Sequence, residues 1–187
     1  MNITVKIEGI SPLLMNRFHE AAQQQVSNNS TLSIRGEKGG PREQAEPKLY
    51  RDSGGRPVLP GPNLFSALVQ AGTFIKVGKS KLSTLRSSLV PAGLSIQELE
   101  LPITPQTWEV DSRAVVIPAT GGRIMAHRPR FDAWACNCTL VVDTDLFSER
   151  LIRELVDTAG QRVGLGDFRP ARRGPFGRFK VVNWKTF

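Results

Sequence analysis

The stretch that decides the fold and points to a function is VGLGDFRPARRGPFGRFKVVNW, residues 163–184. It follows a strongly amphipathic segment and precedes a segment with strand-like alternation, so we expect it to connect a last helix to a last strand. Glycines, arginines and phenylalanines are interleaved within it. Such a loop either makes turns that glycine alone tolerates or holds an anion against its backbone N–H groups.

The basic charge of the chain is concentrated in this same region. The 187 residues contain 25 Lys and Arg against 17 Asp and Glu, a formal net charge of +8. Residues 161–187 contain seven of these cations and one acid, a net +6, so the other 160 residues carry only +2. A cationic segment on a nearly balanced body is typical of proteins that bind a polyanion, and it also fits a solvated face that maintains solubility.

Hydrophobic periodicity predicts an α+β fold. The predicted order is strand, helix, strands, helix, strand, in residues 2–10, 62–75, 94–143, 145–160 and 177–187, with the end of the last helix open between Gly160 and Val163. Within the middle block, residues 107–118 and 128–143 are interpreted as one long hairpin. Counting that hairpin as the two middle strands gives the β-α-β-β-α-β arrangement of a ferredoxin-like, RRM-type domain.

Two connecting segments complete the predicted layout. Residues 16–57 are polar and rich in Gln, Asn, Ser, Gly and Lys, so we expect a protruding, mobile insertion within a single domain spanning residues 1–187. Leu82, Leu85 and Leu89 recur at near-helical spacing and suggest a short helix in residues 80–89.

Several classes of protein are disfavoured by composition. No apolar run approaches the roughly 18 residues of a membrane helix, and MNITVKIEGI lacks the basic-then-apolar pattern of a signal peptide. Cys136 and Cys138, the two cysteines, are two residues apart in a strand-like run, where both pack on one face rather than form a disulfide. We therefore expect a cytoplasmic protein that does not bind a membrane.

The glycine-rich loop VGLGDFRPARRGPFGRFKV resembles that of the repeat-associated RNA-binding (RAMP) superfamily found in CRISPR effector complexes. The segments RPVLPGPNLFSALVQAG and ISPLLMNRF resemble the entry to the first helix and the end of strand one in the same family. The resemblance implies a ferredoxin-like domain in which the loop lies between the last helix and the last strand, and in which the insertion of residues 16–57 acts as a thumb. It further implies a backbone-type subunit that coats single-stranded RNA as a homo-oligomer, with other effector subunits as partners.

Catalysis is the main alternative function. His19 and His127 are the two side chains that titrate near neutral pH unperturbed, so either would have to serve a metal-independent endoribonuclease. Neither has an evident partner in the sequence, and we assign no catalytic residue. The same histidines with Cys136 and Cys138 are not expected to bind zinc, and we predict no metal and no cofactor. A structural protein of a phage or mobile element, whose basic loop binds another protein, is a third possibility.

The leading interpretation is a non-catalytic protein that binds single-stranded nucleic acid, with RNA favoured and DNA still open. Arginines supply planar donors for phosphate, and aromatic residues among cations are suited to stacking unpaired bases. The predicted contact residues are Arg17, His127, Arg128, Arg130, Gly164, Gly166, Phe168, Arg169, Arg172, Arg173, Gly174, Phe176 and Arg178.

Overall fold

The computed structural model describes residues 1–18, 39–116 and 121–187. Short helices and mostly antiparallel strands alternate along the chain, which makes the protein α+β. In chain order the strands are β1 Asn2–Gly9, β2 Leu13–Leu14, β3 Val58–Pro60, β4 Lys76–Val77, β5 Ser80–Lys81, β6 Leu94–Ile96, β7 Glu100–Pro102, β8 Glu109–Val116, β9 Arg123–Phe131, β10 Ala135–Val142 and β11 Phe179–Thr186. The helices are α1 Pro41–Ala45, α2 Gly61–Ala71, α3 Val90–Gly93 and α4 Glu149–Thr158.

The largest sheet has four strands in the order β11-β1-β10-β6, and every neighbouring pair is antiparallel. Its two faces differ, because side chains alternate along each strand. Ile3, Val5 and Ile7 of β1 are completely buried, whereas Lys6 and Glu8 between and beyond them are exposed. One face therefore lies against the core, and the other faces solvent.

The core side of this sheet packs with the two longest helices, α2 and α4. Leu64 and Leu68 of α2 and Ile152 and Leu155 of α4 belong to the same buried cluster as the apolar residues of β1. The predicted amphipathic pattern continues beyond α4 through one π-helical turn that ends at Val163. Among the described residues, no helix has both the length and the apolar run that a membrane span requires.

The predicted long hairpin is only partly correct. β8 pairs with β9 in a separate three-stranded sheet of order β2-β9-β8, while β10 joins the four-stranded sheet beside β1. The chain changes sheets at Asp132 and Ala133, just before the buried Trp134. The indole of Trp134 packs against Gly9 and donates from Nε1 to the Ser11 carbonyl at 2.9 Å. This anchor bends the chain where alternation alone predicts a continuous strand.

The predicted helix in residues 80–89 is not present. The segment instead contains β5, which pairs with β4, followed by a turn in which Ser83 and Ser88 form a β-bridge. Leu82 is buried, but Leu85 is fully exposed, so the leucine spacing does not mark one apolar face. The hydroxyls of this Ser- and Thr-rich segment bond to neighbouring groups and favour a turn over a helix.

The part of residues 16–57 that the structure describes is packed against the β8–β9 hairpin. α1 and the 3-10 turn Glu46–Lys48 lie on β9, and Ala45 and Leu49 enter the core. The Lys48 ammonium, itself buried, donates to the His127 carbonyl at 3.0 Å. Residues 19–38, which include most of the predicted thumb and His19, lie outside the described residues.

Cys136 and Cys138 are buried on the same face of β10 as free thiols. Burial raises the pKa of both, that of Cys138 to about 12, with nearby Glu98 adding to the effect at Cys138. The two thiols therefore stay protonated at neutral pH and contribute as small apolar groups, as their spacing predicts.

Candidate nucleic-acid interface

The glycine-rich loop, residues 164–178, is attached to the segment that follows β1. The Asp167 N–H donates to the Leu14 carbonyl and the Gly177 N–H to the Pro12 carbonyl, each at 2.8 Å. The Arg178 N–H donates to the Ser11 hydroxyl at 2.9 Å. The loop thus lies along the end of strand one, which fixes its position relative to the sheet.

Close packing explains the glycines of the loop without any ligand. A Cβ on Gly174 would lie 1.7 Å from the Phe168 carbonyl oxygen, and a Cβ on Gly177 would lie 1.8 Å from the Leu165 carbonyl oxygen. Gly164 and Gly166 are each at φ +72°, a conformation that L side chains rarely adopt. Their role in contacting nucleic acid, like that of Gly174, therefore stays a prediction.

Most backbone N–H groups of the loop are already bonded. Leu165 donates to the Gly177 carbonyl at 2.9 Å, and Gly174 donates to the Arg169 carbonyl at 3.0 Å. The N–H groups of Gly166 and Arg169 have no acceptor among the described residues. An anion would therefore find only a few amide donors here, and side chains must supply the remaining contacts.

Three arginines of the loop are exposed. Arg172, Arg173 and Arg178 form no ion pair with any residue that the structure describes. Arg169 is half-buried and donates from Nη1 to the Gly166 carbonyl at 2.9 Å. Burial lowers the pKa of Arg169, and the nearby charge of Arg172 lowers it further. An arginine nevertheless remains charged at neutral pH. The loop therefore presents a compact group of positive charges.

Arg128 and Arg130 of β9 already have acidic partners. Arg128 Nε lies 2.7 Å from an Asp167 carboxylate oxygen, and Arg130 Nε lies 2.8 Å from Asp132, which directly follows β9. The Arg128–Asp167 pair holds the β8–β9 hairpin against the loop, whereas the Arg130–Asp132 pair lies within the hairpin itself, so we expect neither arginine to be freely available to phosphate. The predicted contact Arg17 is exposed at the end of the segment after β2.

The two phenylalanines of the loop pack together. The Phe168 and Phe176 ring centroids are 6.0 Å apart, and both rings are half-buried. The Arg113 guanidinium of β8 lies 4.8 Å from the Phe176 centroid and is held by the buried Asp111 carboxylate. This cluster tethers the loop to the hairpin, and base stacking by either ring stays a prediction.

A cleft of about 230 Å³ lies between the loop and the first turn of α2. Its polar side chains are those of Asn16, Tyr50, Asn63, Ser66, Asp167 and Arg169, and the Asp167 carboxylate is paired with Arg128. The helix begins with no side-chain cap and no acid in its first turn, so its positive dipole end is not neutralised there. The cleft combines this end with the Arg169 guanidinium and several amide and hydroxyl donors.

Tyr50, Asn63 and Ser66 were not among the residues predicted from sequence. Asn63 and Ser66 are interspersed with the buried residues of α2 but lie off its apolar stripe, and Tyr50 reaches the cleft from the far end of the polar insertion. The segment LPGPN places no Ser, Thr or Asp before the helix, so α2 has no side-chain cap, and the Gly61 N–H donates instead to the Leu99 carbonyl at 2.8 Å.

His127 is separated from this cluster. Its side chain is 9% exposed, and its Nδ1 lies 2.7 Å from the Ser112 hydroxyl across the hairpin. Adjacent residues of a strand point to opposite faces, so His127 faces away from the side on which Arg128 meets the loop. Among the predicted contacts, the structure joins Arg128 to the loop residues through Asp167, pairs Arg130 with Asp132 of its own hairpin and places His127 apart.

A comparison with protein-family models finds no match, and a comparison with curated proteins also finds none.

Proposed function

We propose that the chain is a non-catalytic protein that binds single-stranded nucleic acid, RNA in preference to DNA. The observation that carries this proposal is the set of exposed arginines, Arg172, Arg173 and Arg178, on a loop whose first part, including Arg169, lines a polar cleft. Guanidinium groups without acidic partners are available to phosphates, whereas paired ones must first break an ion pair. Binding of this kind is electrostatic and tolerant of sequence.

The fold proposal is a ferredoxin-like, RRM-type domain. In that arrangement, the first strand lies between the last and the third strands, and a helix follows the first and the third. The order β11-β1-β10-β6, with α2 after β1 and α4 after β10, supports it. On this interpretation, β6 is the second strand, and the β8–β9 hairpin is an insertion between the second and third strands.

We further propose a distant relationship to the RAMP superfamily. The position of the glycine-rich loop between the last helix and the last strand of the sheet supports it. The relationship implies a cytoplasmic ribonucleoprotein of the CRISPR type, in which copies of this chain assemble along the RNA beside other effector subunits.

In the proposed mechanism, the loop contacts the backbone of the strand while the cleft receives one phosphate or sugar. Arg172, Arg173 and Arg178 neutralise phosphates along the loop. Arg169 and the free N–H group of Gly166 serve the cleft, together with the positive end of α2. The ion pair between Arg128 and Asp167 keeps the loop at a fixed distance from the hairpin.

The test removes two of the exposed cations at once. We expect the double substitution Arg172→Ala and Arg173→Ala to weaken binding of a labelled, unstructured RNA regardless of its sequence. The slope of log affinity against log salt should become shallower by about 0.7 per lost contact, or about 1.4 in total. Filter binding between low and physiological salt measures both quantities.

A matched control removes two exposed lysines from the solvent face of the four-stranded sheet, Lys6→Ala with Lys185→Ala. The control should leave affinity and slope close to those of the native chain, and circular dichroism should show that both variants fold. The proposal fails if the loop variant folds and binds like the native chain. Loss of binding only in the lysine variant would move the interface to the open face of the sheet. A parallel titration with DNA of the same sequence tests the preference for RNA.

A further inference from the structure

A second concave surface lies on the side of α2 that faces the β4–β5 hairpin. It is an open groove of about 850 Å³ between the C-terminal half of α2, the 3-10 turn Gly72–Phe74 and the turn that follows β5. Its apolar lining includes Val69, Phe74 and Leu85. We refer to this surface as the α2 groove, and it plays no part in the nucleic-acid interface proposed above.

The turn on the outer wall of the groove is ordered, and it holds a leucine out to solvent. The Thr84 N–H donates to the Ser87 carbonyl at 2.7 Å, and the Thr84 hydroxyl accepts from the Ser87 N–H at 3.1 Å. The Ser83 and Ser88 hydroxyls lie 2.6 Å apart at the base of the turn. Leu85 is at its tip with a relative exposure of 105%, and Phe74 opposite is 50% exposed. A fixed turn that exposes a large apolar residue beside a groove is typical of a docking surface.

The charge around the groove has a single sign. Residues 57–97 contain no acid at all, and their cations are Lys76, Lys79, Lys81 and Arg86. Lys81 and Arg86 line the groove itself. From the neighbouring π-helical turn, the Arg162 guanidinium lies 5.3 Å from the Phe74 ring centroid. The apolar floor is therefore surrounded by positive charge that the segment itself does not compensate.

We propose that the α2 groove docks an acidic, amphipathic peptide segment of a partner protein. Its Leu or Phe side chains would cover Val69, Phe74 and Leu85, and its Asp or Glu side chains would meet Lys81 and Arg86. Nucleic acid suits this surface less well. The aliphatic side chains offer no flat ring on which a base could stack, and the Phe74 ring is already in contact with the Arg162 guanidinium. The complementary charge favours a peptide of opposite sign over a second copy of this chain, whose net charge is +8.

The experiment selects ligands without assuming their sequence. A phage-displayed library of random peptides about twelve residues long is selected on the immobilised full chain at physiological salt. The most enriched peptide is then synthesised with a fluorescent label and titrated by anisotropy. We expect enrichment of peptides that combine Asp or Glu with Leu, Phe or Trp. A matched peptide in which Ser replaces the apolar residues should bind at least about tenfold more weakly.

Two substitutions and one control locate the binding. Leu85→Ser changes the exposed tip of the turn and should lower the affinity for the enriched peptide about tenfold. Arg86→Ser should lower that affinity severalfold and make it less dependent on salt. Leu99→Ser is the matched control, because Leu99 is 75% exposed and does not line the groove. Its affinity for the peptide should equal that of the native chain.

Several outcomes would overturn the proposal. One is a library that yields no acidic-apolar enrichment, and another is an enriched peptide that binds the Leu85→Ser variant as tightly as the native chain. Displacement of the peptide by a twelve-nucleotide oligouridylate from the variant that carries Arg172→Ala and Arg173→Ala would assign the groove to nucleic acid. Self-association that the Leu85→Ser variant loses, in the absence of peptide binding, would assign it to a second copy of the chain. Because the Arg172 and Arg173 test uses other residues, failure here leaves the proposed function standing.

Discussion

At the residue scale, contacts too close for a side chain decide the course of the glycine-rich loop. A Cβ added to Gly174 or to Gly177 would overlap a carbonyl oxygen of the same loop. Gly177 is also at φ +71°. A loop folded back on itself in this way is rigid, so its arginines keep a fixed spacing for phosphates.

A single methyl group tests this reasoning. We expect Gly177→Ala to lower the free energy of unfolding by about 3 kcal/mol or more, because backbone strain and a clash with the Leu165 carbonyl add together. Gly55→Ala is the matched control, since Gly55 is at φ +79° with nothing within 4 Å of an added Cβ. It should cost about 1 kcal/mol, from strain alone. Urea unfolding of both variants measures the difference, and equal costs would show that the loop yields easily.

At the element scale, side chains from α4 join the last strand to the helix layer. The Glu149 carboxylate, in the first turn of α4, accepts hydrogen bonds from Trp184 Nε1 and the Thr186 hydroxyl of β11, both at 2.8 Å. These two hydrogen bonds lower the pKa of Glu149, with the bond from Trp184 contributing more than the bond from Thr186, and desolvation opposes them. The strand that follows the loop is therefore attached to the helix that precedes it.

This attachment predicts a pH dependence. A carboxyl whose pKa is lower in the folded chain stabilises the fold fully above its unfolded pKa, and the contribution is lost as pH falls through the folded value. We expect Glu149→Gln to lower the melting temperature at pH 7 and to have a smaller effect near pH 3. Glu154→Gln on the same helix, where no described side chain donates to the carboxylate, serves as the control. A Glu149→Gln effect that does not change between these pH values would contradict the argument.

At the scale of the whole molecule, the distribution of charge separates two surfaces. The exposed arginines of the glycine-rich loop are located beside the cleft, whereas Lys81 and Arg86 line the α2 groove. The two concavities are neighbours along one face of α2, with Ser66 in the lining of both. A strand bound at the loop and a peptide bound in the groove would therefore occupy successive turns of the same helix.

The proposed function also predicts that bound RNA stays intact. The described histidine, His127, is buried against Ser112 and faces away from the loop, so it is not placed to act on a strand bound there. We expect an end-labelled RNA to remain full length over hours with the protein in EDTA, as judged on denaturing gels. The His19→Ala and His127→Gln variants should give the same result. Specific cleavage that either variant abolishes would replace the binding function with that of an endoribonuclease.

Much of the secondary structure follows from local pattern. Alternation identifies β1, and helical spacing identifies α2 and α4 with its extension to Val163, because burial on one side imposes these periods on the sequence. The helix predicted from leucine spacing in residues 80–89 is wrong, because Leu82 is buried and Leu85 is exposed. Hydroxyl groups that close a turn outweigh a weak apolar repeat there.

The sequence by itself determined the α+β class, the positions of the main elements, the placement of Cys136 and Cys138 on one face of a strand and the concentration of charge near the C-terminus. All of these depend on neighbours within a few residues. The tertiary structure decided which strands pair, because β10 leaves the hairpin for a partner more than a hundred residues away in the chain. It also decided which arginines are available, since Asp167 meets Arg128 only when the loop folds against the hairpin. Electrostatic partners of this kind are set by distance in space, which no local pattern records.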